Sequence, residues 1–132
     1  MDFKTLTASR SQIPGIEKLY NKLGSRFKNP GTIAQTFRHA SFVNEQPGTK
    51  LEDNQRLEFL GDAVLELAVT HLLMEKHPDA EEGPLSKLRA GIVDETGLYR
   101  LAVDLELGSF LNLGRGEEQS GGREKPSILS DT

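Results

Sequence analysis

An all-α fold is predicted for this chain, and three observations predict it. Apolar residues recur at helical spacing along most of its length. No stretch sustains the alternation of apolar and polar residues that a half-buried strand needs. Turn and capping residues punctuate the periodic segments. The 132 residues suit one domain with one hydrophobic core, over 1–132.

Taken in order, Ile16, Leu19 and Leu23 predict a short helix after Pro14-Gly15, ending near Gly24. Asn29-Pro30-Gly31 is a turn, and Ile33, Ala34 and Phe37 predict a second helix running to about Ala40. Gln46-Pro47-Gly48-Thr49 reads as loop. Asp53 or Asn54 then caps the strongest element, whose apolar positions include Leu57, Leu60, Val64, Leu67 and Leu72. It should stop at His77, because Pro78 disfavours helical geometry in the residue before it. Phe59, Ala63, Leu65 and Val69 widen its apolar arc, so it is expected to be central or buried by a partner subunit. Pro84 suits the first turn of the next helix, with Leu85, Leu88 and Ile92 as its stripe. Another holds Leu98, Leu101, Ala102 and Leu105 after a cap around Asp94 to Thr96. Gly114 to Gly122 reads as a mobile loop. Pro126 opens a last helix that stops at Thr132, a stub of less than two turns with little stability of its own. The domain is therefore expected to lack its end.

Composition narrows the function. Hydrophobic residues at 36% and charged residues at 27% mark a globular chain. With no cysteine there is no disulfide framework and no thiolate zinc site, which fits a reducing cytoplasm. No basic-then-apolar leader opens the chain, so secretion is not expected. Leu57 to Met74, the most apolar region, is interrupted by Glu58, Asp62 and Glu66 and is no membrane span. The net charge of −4 argues against nucleic acid, since phosphate contacts come from Lys and Arg. A nuclease that gathers carboxylates around metal ions escapes that argument if its basic residues share a face.

Glu58 and Asp62 stand four residues apart, one turn above the other on one helix face. Two like charges so placed cost an isolated helix roughly 0.2–0.5 kcal/mol. Gly61 between them costs about 1 kcal/mol relative to Ala. A divalent cation would offset both, because hard ions such as Mg²⁺ take carboxylate oxygens. Spacing alone leaves a solvated acidic face as the ordinary alternative.

The full string Asn54-Gln55-Arg56-Leu57-Glu58-Phe59-Leu60-Gly61-Asp62-Ala63-Val64-Leu65 closely resembles the signature of the ribonuclease III family. Four more stretches match it collinearly: His39 to Glu45, Glu82 to Ala90, Leu113 to Arg123 and Lys125 to Asp131. The resemblance implies a single helical endonuclease domain, incomplete at its last catalytic helix. It implies hydrolysis of double-stranded RNA with Mg²⁺ (Mn²⁺ substituting), leaving 5′-phosphate and 3′-hydroxyl ends, in rRNA and mRNA processing. It also implies a cytoplasmic homodimer with no membrane association. Glu58 and Asp62 match the family's first pair of metal carboxylates, the catalytic pair, and Asp131 the third. The fourth is a Glu three residues beyond that Asp, past the end of this sequence. The double-stranded-RNA-binding domain usual in bacterial members is not represented either.

Glu82 matches an acidic position on the RNA side of the site. The corresponding position at Gln55 has lost the family's usual Glu, and no catalytic role is assigned to it. Arg115, Arg123 and Lys125 match a segment close to RNA, with a solvated loop as the plainer reading. Phe59 belongs either to a subunit interface or to the core. The alternatives are a non-catalytic dimeric RNA-binding relative, or a fragment inactive for want of the fourth carboxylate. A di-iron bundle is excluded, because it needs Glu-x-x-His pairs and Thr36, Ala68 and Met74 precede His39, His71 and His77 by three. The histidines are read as structural or solvent-facing, and Glu66 as a solvated or interface charge.

Overall fold

The computed structural model describes residues 13–132; residues 1–12 of the predicted domain lie outside the described residues. Among the described residues there are eight α-helices, two 3-10 turns and no strand, as the periodicity predicts. Helix α1 (Ile16–Leu23) ends at Gly24, whose φ of 65° is the left-handed stop that glycine adopts most easily. Helix α2 (Pro30–Thr36) starts where Asn29 Oδ1 accepts from the Gly31 and Thr32 amides at 2.9 and 3.2 Å, with Pro30 in the first position.

The second helix was expected to reach Ala40 and stops at Thr36. Distant backbone takes over the hydrogen bonds that would have continued it. The Asn112 amide donates to Phe37 O at 2.8 Å and the His39 amide donates to Asn112 O at 3.1 Å. These form an isolated parallel bridge between Arg38 and Asn112. A separate helix α3 (Ala40–Asn44) follows, with His39 Nδ1 accepting from the Ser41 amide at 3.2 Å.

Helix α4 (Gln55–Lys76) carries the signature and ends before Pro78 as expected. Asn54 holds its N-cap position without capping: its buried side chain donates to Thr36 O at 3.1 Å, while Asp53 Oδ1 accepts from the Gln55 amide at 3.1 Å. Helix α5 (Glu82–Val93) has Pro84 in its first turn, where its missing N–H costs nothing. Helix α6 (Glu95–Asp104) is capped by Asp94 Oδ1, which accepts from the Gly97 amide at 2.7 Å.

A 3-10 turn at Leu107–Phe110 leads to helix α7 (Arg115–Gln119), a second 3-10 turn at Gly122–Glu124 and helix α8 (Pro126–Ser130). The stretch from Gly114 to Gly122, expected as a loop, is therefore largely helical. Arg123 explains why. Its Nη1 donates to Gly108 O and Leu111 O at 2.7 and 2.9 Å, and its Nε donates to Glu118 Oε1 at 2.9 Å. Lys125 pairs with Glu117 in a second clasp. Gly114 closes the segment onto α3: its amide donates to Ser41 Oγ at 2.9 Å, and a Cβ there would stand 2.6 Å from Ser41 O. Gly114→Ala is accordingly expected to cost about 1–3 kcal/mol by overpacking, read as a lower denaturation midpoint in urea.

Leu19, Ile33, Phe37, Ala102, Phe110, Leu111, Ile128 and Leu129 form the core, drawn from α1, α2, α6, α8 and the first 3-10 turn. Helix α4 was expected to be central or buried by a partner subunit, and within this chain it is not central. Only Val69 and Leu73 of its 22 residues are buried. Phe59 is 84% exposed and Leu67 71%, so within this chain Phe59 is not a core residue. The physical reason is that α5 covers one side of α4 only, leaving the rest of its wide apolar arc without a neighbour.

Candidate active site

Glu58 and Asp62 occupy the first turns of α4, and Asp131 directly follows α8. All three line one cavity of about 450 Å³, floored by apolar side chains of α4 and α6 such as Leu57, Leu101 and Leu105. Glu58 and Asp131 also line a smaller polar cavity of about 170 Å³, with His39, Asn54, Gln55 and Ser127 around it. The fold thus brings together the two carboxylates read from spacing and the third implied by resemblance. The start of α4 is held in place by the Asn54 amide, which donates to Arg38 O at 2.9 Å.

Electrostatics in this group run against the Glu58 carboxylate. Burial pushes the Glu58 carboxyl above its ordinary range, and the nearby charges of Asp131 and Asp62 push it further the same way. The folded state therefore binds the Glu58 proton more tightly than the unfolded chain does. Stability from this group is full below the unfolded pKa and is lost as pH rises through the folded one. In chelator at neutral pH, Glu58→Gln is expected to raise the melting temperature. The gain should shrink to nothing as pH falls through the carboxylate range. Thermal melts of both proteins across that range give the answer directly.

The donor set is oxygen only, which suits a hard divalent cation, and such an ion would relieve the mutual repulsion. Among the described residues no three His, Asp or Glu side chains are grouped closely enough to enclose an ion. Glu58, Asp62 and Asp131 are thus neighbours around a cavity rather than a finished coordination shell.

The other residues singled out in the sequence lie apart from this group. Glu82 starts α5, accepts from Ser86 Oγ at 2.6 Å, and lines a different cavity with Thr70, Met74 and Arg89. That cavity meets α4 two turns or more beyond Asp62, roughly 12 Å along the helix. Arg115 is exposed, with its amide donating to Glu45 Oε1 at 2.8 Å. Arg123 and Lys125 are engaged inside the protein through Glu118 and Glu117. Glu66 pairs with Arg89 of α5 at 3.6 Å. Reading the sequence missed His39 as a member of the site. The only signal for it was its place at the head of a stretch resembling a family segment.

A helical scaffold with carboxylates gathered beside the end of a long helix defines a class of acidic domains suited to a hard cation. The chain belongs to the ribonuclease-III-like family, whose model matches residues 29–132. It is 51% identical over 118 residues to Ribonuclease 3 of Syntrophobacter fumaroxidans, covering 89% of this chain and 49% of that protein. It is 54% identical over 110 residues to Ribonuclease 3 of Bacillus cytotoxicus, covering 83% and 45%. The chain thus spans about half the length of the curated relatives it matches. Its fold matches the nuclease domain of ribonuclease III from Campylobacter jejuni with a TM-score of 0.77 at 45% identity, over 89% of this chain and 78% of that one. That structure is described as flexible in a region involved in dimer formation.

Proposed function

We propose that residues 1–132 belong to the catalytic domain of an endoribonuclease that hydrolyses double-stranded RNA with Mg²⁺, or Mn²⁺ in its place. The products are 5′-phosphate and 3′-hydroxyl ends, and the setting is rRNA and mRNA processing in the cytoplasm. One observation carries this reading: Glu58, Asp62 and Asp131 face a common cavity in a chain of this family.

Glu58, Asp62 and Asp131 would hold the cation. When bound, it lowers the pKa of a water and offsets charge developing on the phosphate. The chain's own residues do the rest. Leu57, Leu101 and Leu105 limit water behind the carboxylates. The Asn54–Arg38 bond fixes the first turn of α4, so that Glu58 and Asp62 keep their spacing. Arg115, exposed on α7, offers a guanidinium to the RNA backbone. Arg123 and Lys125 add positive charge to that side while clasped to Glu118 and Glu117. Glu82 acts at the far end of α4, on the RNA side.

The proposed unit is a homodimer. Phe59, Leu60, Val64, Leu67 and Leu72 stand exposed on α4. Each large apolar side chain left in water forgoes about 1.5–3 kcal/mol of burial. A second copy covering that face would recover much of it.

A labelled RNA duplex incubated with Mg²⁺ and with chelator tests the reaction, with the ends of the products mapped. Metal-dependent cutting to 5′-phosphate ends is expected. Silence from this chain, and also from one lengthened at its C-terminus, would favour the non-catalytic relative. Sedimentation of the same samples reads the dimer.

A further inference from the structure

The smaller cavity beside the carboxylates holds a hydrogen-bond donor that the mechanism above does not use. His39 lines it together with Gln55, Glu58, Ser127 and Asp131. Its Nδ1 accepts from the Ser41 amide at 3.2 Å and lies 2.8 Å from Ser41 Oγ. Because Nδ1 accepts from the Ser41 amide, it has no hydrogen to give, so the Ser41 hydroxyl, which itself accepts from the Gly114 amide at 2.9 Å, donates to it. A ring nitrogen receiving two donors carries no proton, so the network assigns the imidazole hydrogen to Nε2. Nε2 has no hydrogen-bond partner among the described residues. No buried side-chain nitrogen or oxygen there lacks a partner, so Nε2 reaches solvent. The backbone of His39 is fixed as well, through its bond to Asn112 O at 3.1 Å. The nearby Glu117 carboxylate is committed to Lys125 and Ser120.

We propose that His39 donates its Nε2–H to a nonbridging oxygen of the RNA phosphodiester seated against Glu58 and Asp131, as a substrate-contacting residue of this site. The inference rests on the nuclease reading. Its physical logic is a matter of charge. A wall formed by Glu58 and Asp131 repels a phosphate, so the anion needs donors of its own. A Lys or Arg in this position would pair with the carboxylates and compete with the cation for them. An imidazole N–H serves the phosphate and leaves the carboxylates to the metal. Its position is set in advance by the cap at Nδ1, so little ordering is required on binding.

Two substitutions separate the ring's two nitrogens. His39→Asn keeps an acceptor where Nδ1 stands and loses the distal donor. His39→Gln keeps an N–H near the place of Nε2 and loses the cap. Binding of a labelled RNA duplex is measured by anisotropy with Ca²⁺ in place of Mg²⁺, alongside thermal melts. His39→Asn is expected to melt like the parent and bind at least about tenfold more weakly, the worth of a hydrogen bond to a charged acceptor. His39→Gln should melt lower and bind nearly as well as the parent. A phosphorothioate-substituted duplex adds a readout that a purely structural role would not move. Sulfur accepts hydrogen bonds poorly, so the parent should lose affinity for it while His39→Asn barely distinguishes the two duplexes. If His39→Asn binds as tightly as the parent, or loses the same factor for both duplexes, the inference is overturned, and cutting by the parent leaves the nuclease reading intact. If neither the parent nor the chain lengthened at its C-terminus binds or cuts duplex RNA, both fall together.

Discussion

The Glu58→Ala, Asp62→Ala double variant is expected to lose metal-dependent cutting of duplex RNA by about 10³-fold or more. A bound cation contributes several kcal/mol of charge stabilisation, and each 1.4 kcal/mol is a factor of ten. The fold should survive the change. Both side chains line the cavity and stay out of the core, and burial already disfavours the charged form of Glu58. The melting temperature in chelator should therefore hold or rise while activity disappears. That combination distinguishes a lost site from a lost fold. Cutting at the parental rate by the double variant would remove these carboxylates from the reaction.

The second large effect is structural. Phe37 is 1% exposed and packs against Phe110 with ring centroids 5.3 Å apart. Truncation of such a side chain costs about 3–5 kcal/mol, in domains whose whole stability is about 5–15 kcal/mol. Phe37→Ala should thus shift the urea midpoint far down or leave the chain unfolded at room temperature. Its backbone oxygen accepts from the Asn112 amide, so the damage should reach the bridge that ends α2. A midpoint within a few tenths of a molar of the parent would mean that Phe37 is not central to the core.

How far the sequence disclosed this molecule depends on the length over which each signal acts. Helices α1, α5 and α6 were legible because caps and apolar stripes agree over several turns, as at Asp94 and Gly24. Helices α3 and α7 were not, since five residues are too few for a period to register. Both depend on distant partners: Ser41 on Gly114, and Glu45 on the Arg115 amide. The surroundings of α4 were left between two alternatives for a related reason. A wide apolar arc reports that a surface needs cover without saying which chain supplies it.

The candidate site divides in the same way. Glu58 and Asp62 announce themselves because local spacing puts them on one helix face. Asp131 is far away in sequence and was found only through resemblance. Arg123 in a glycine-rich stretch looks like a free cation, and its bonds to Gly108 O and Leu111 O are invisible without the fold. His39 reads as a structural or solvent-facing histidine until the folded chain sets it around one cavity with Gln55 and Ser127.

The residues just after α2 matter beyond ending a helix. The carbonyls of Thr36, Phe37 and Arg38 receive, in turn, the Asn54 side chain, the Asn112 amide and the Asn54 amide. Two segments distant in sequence, at Asn54 and at Asn112, hang from three consecutive peptide units. The beginning of the carboxylate helix and the approach to α7 consequently share one support. A fluctuation that moves these three peptide units disturbs both segments at once. The acidic first turns of α4 are thus tied to the chain just after α2, while its far half, where Val69 and Leu73 are buried, is covered on one side by α5.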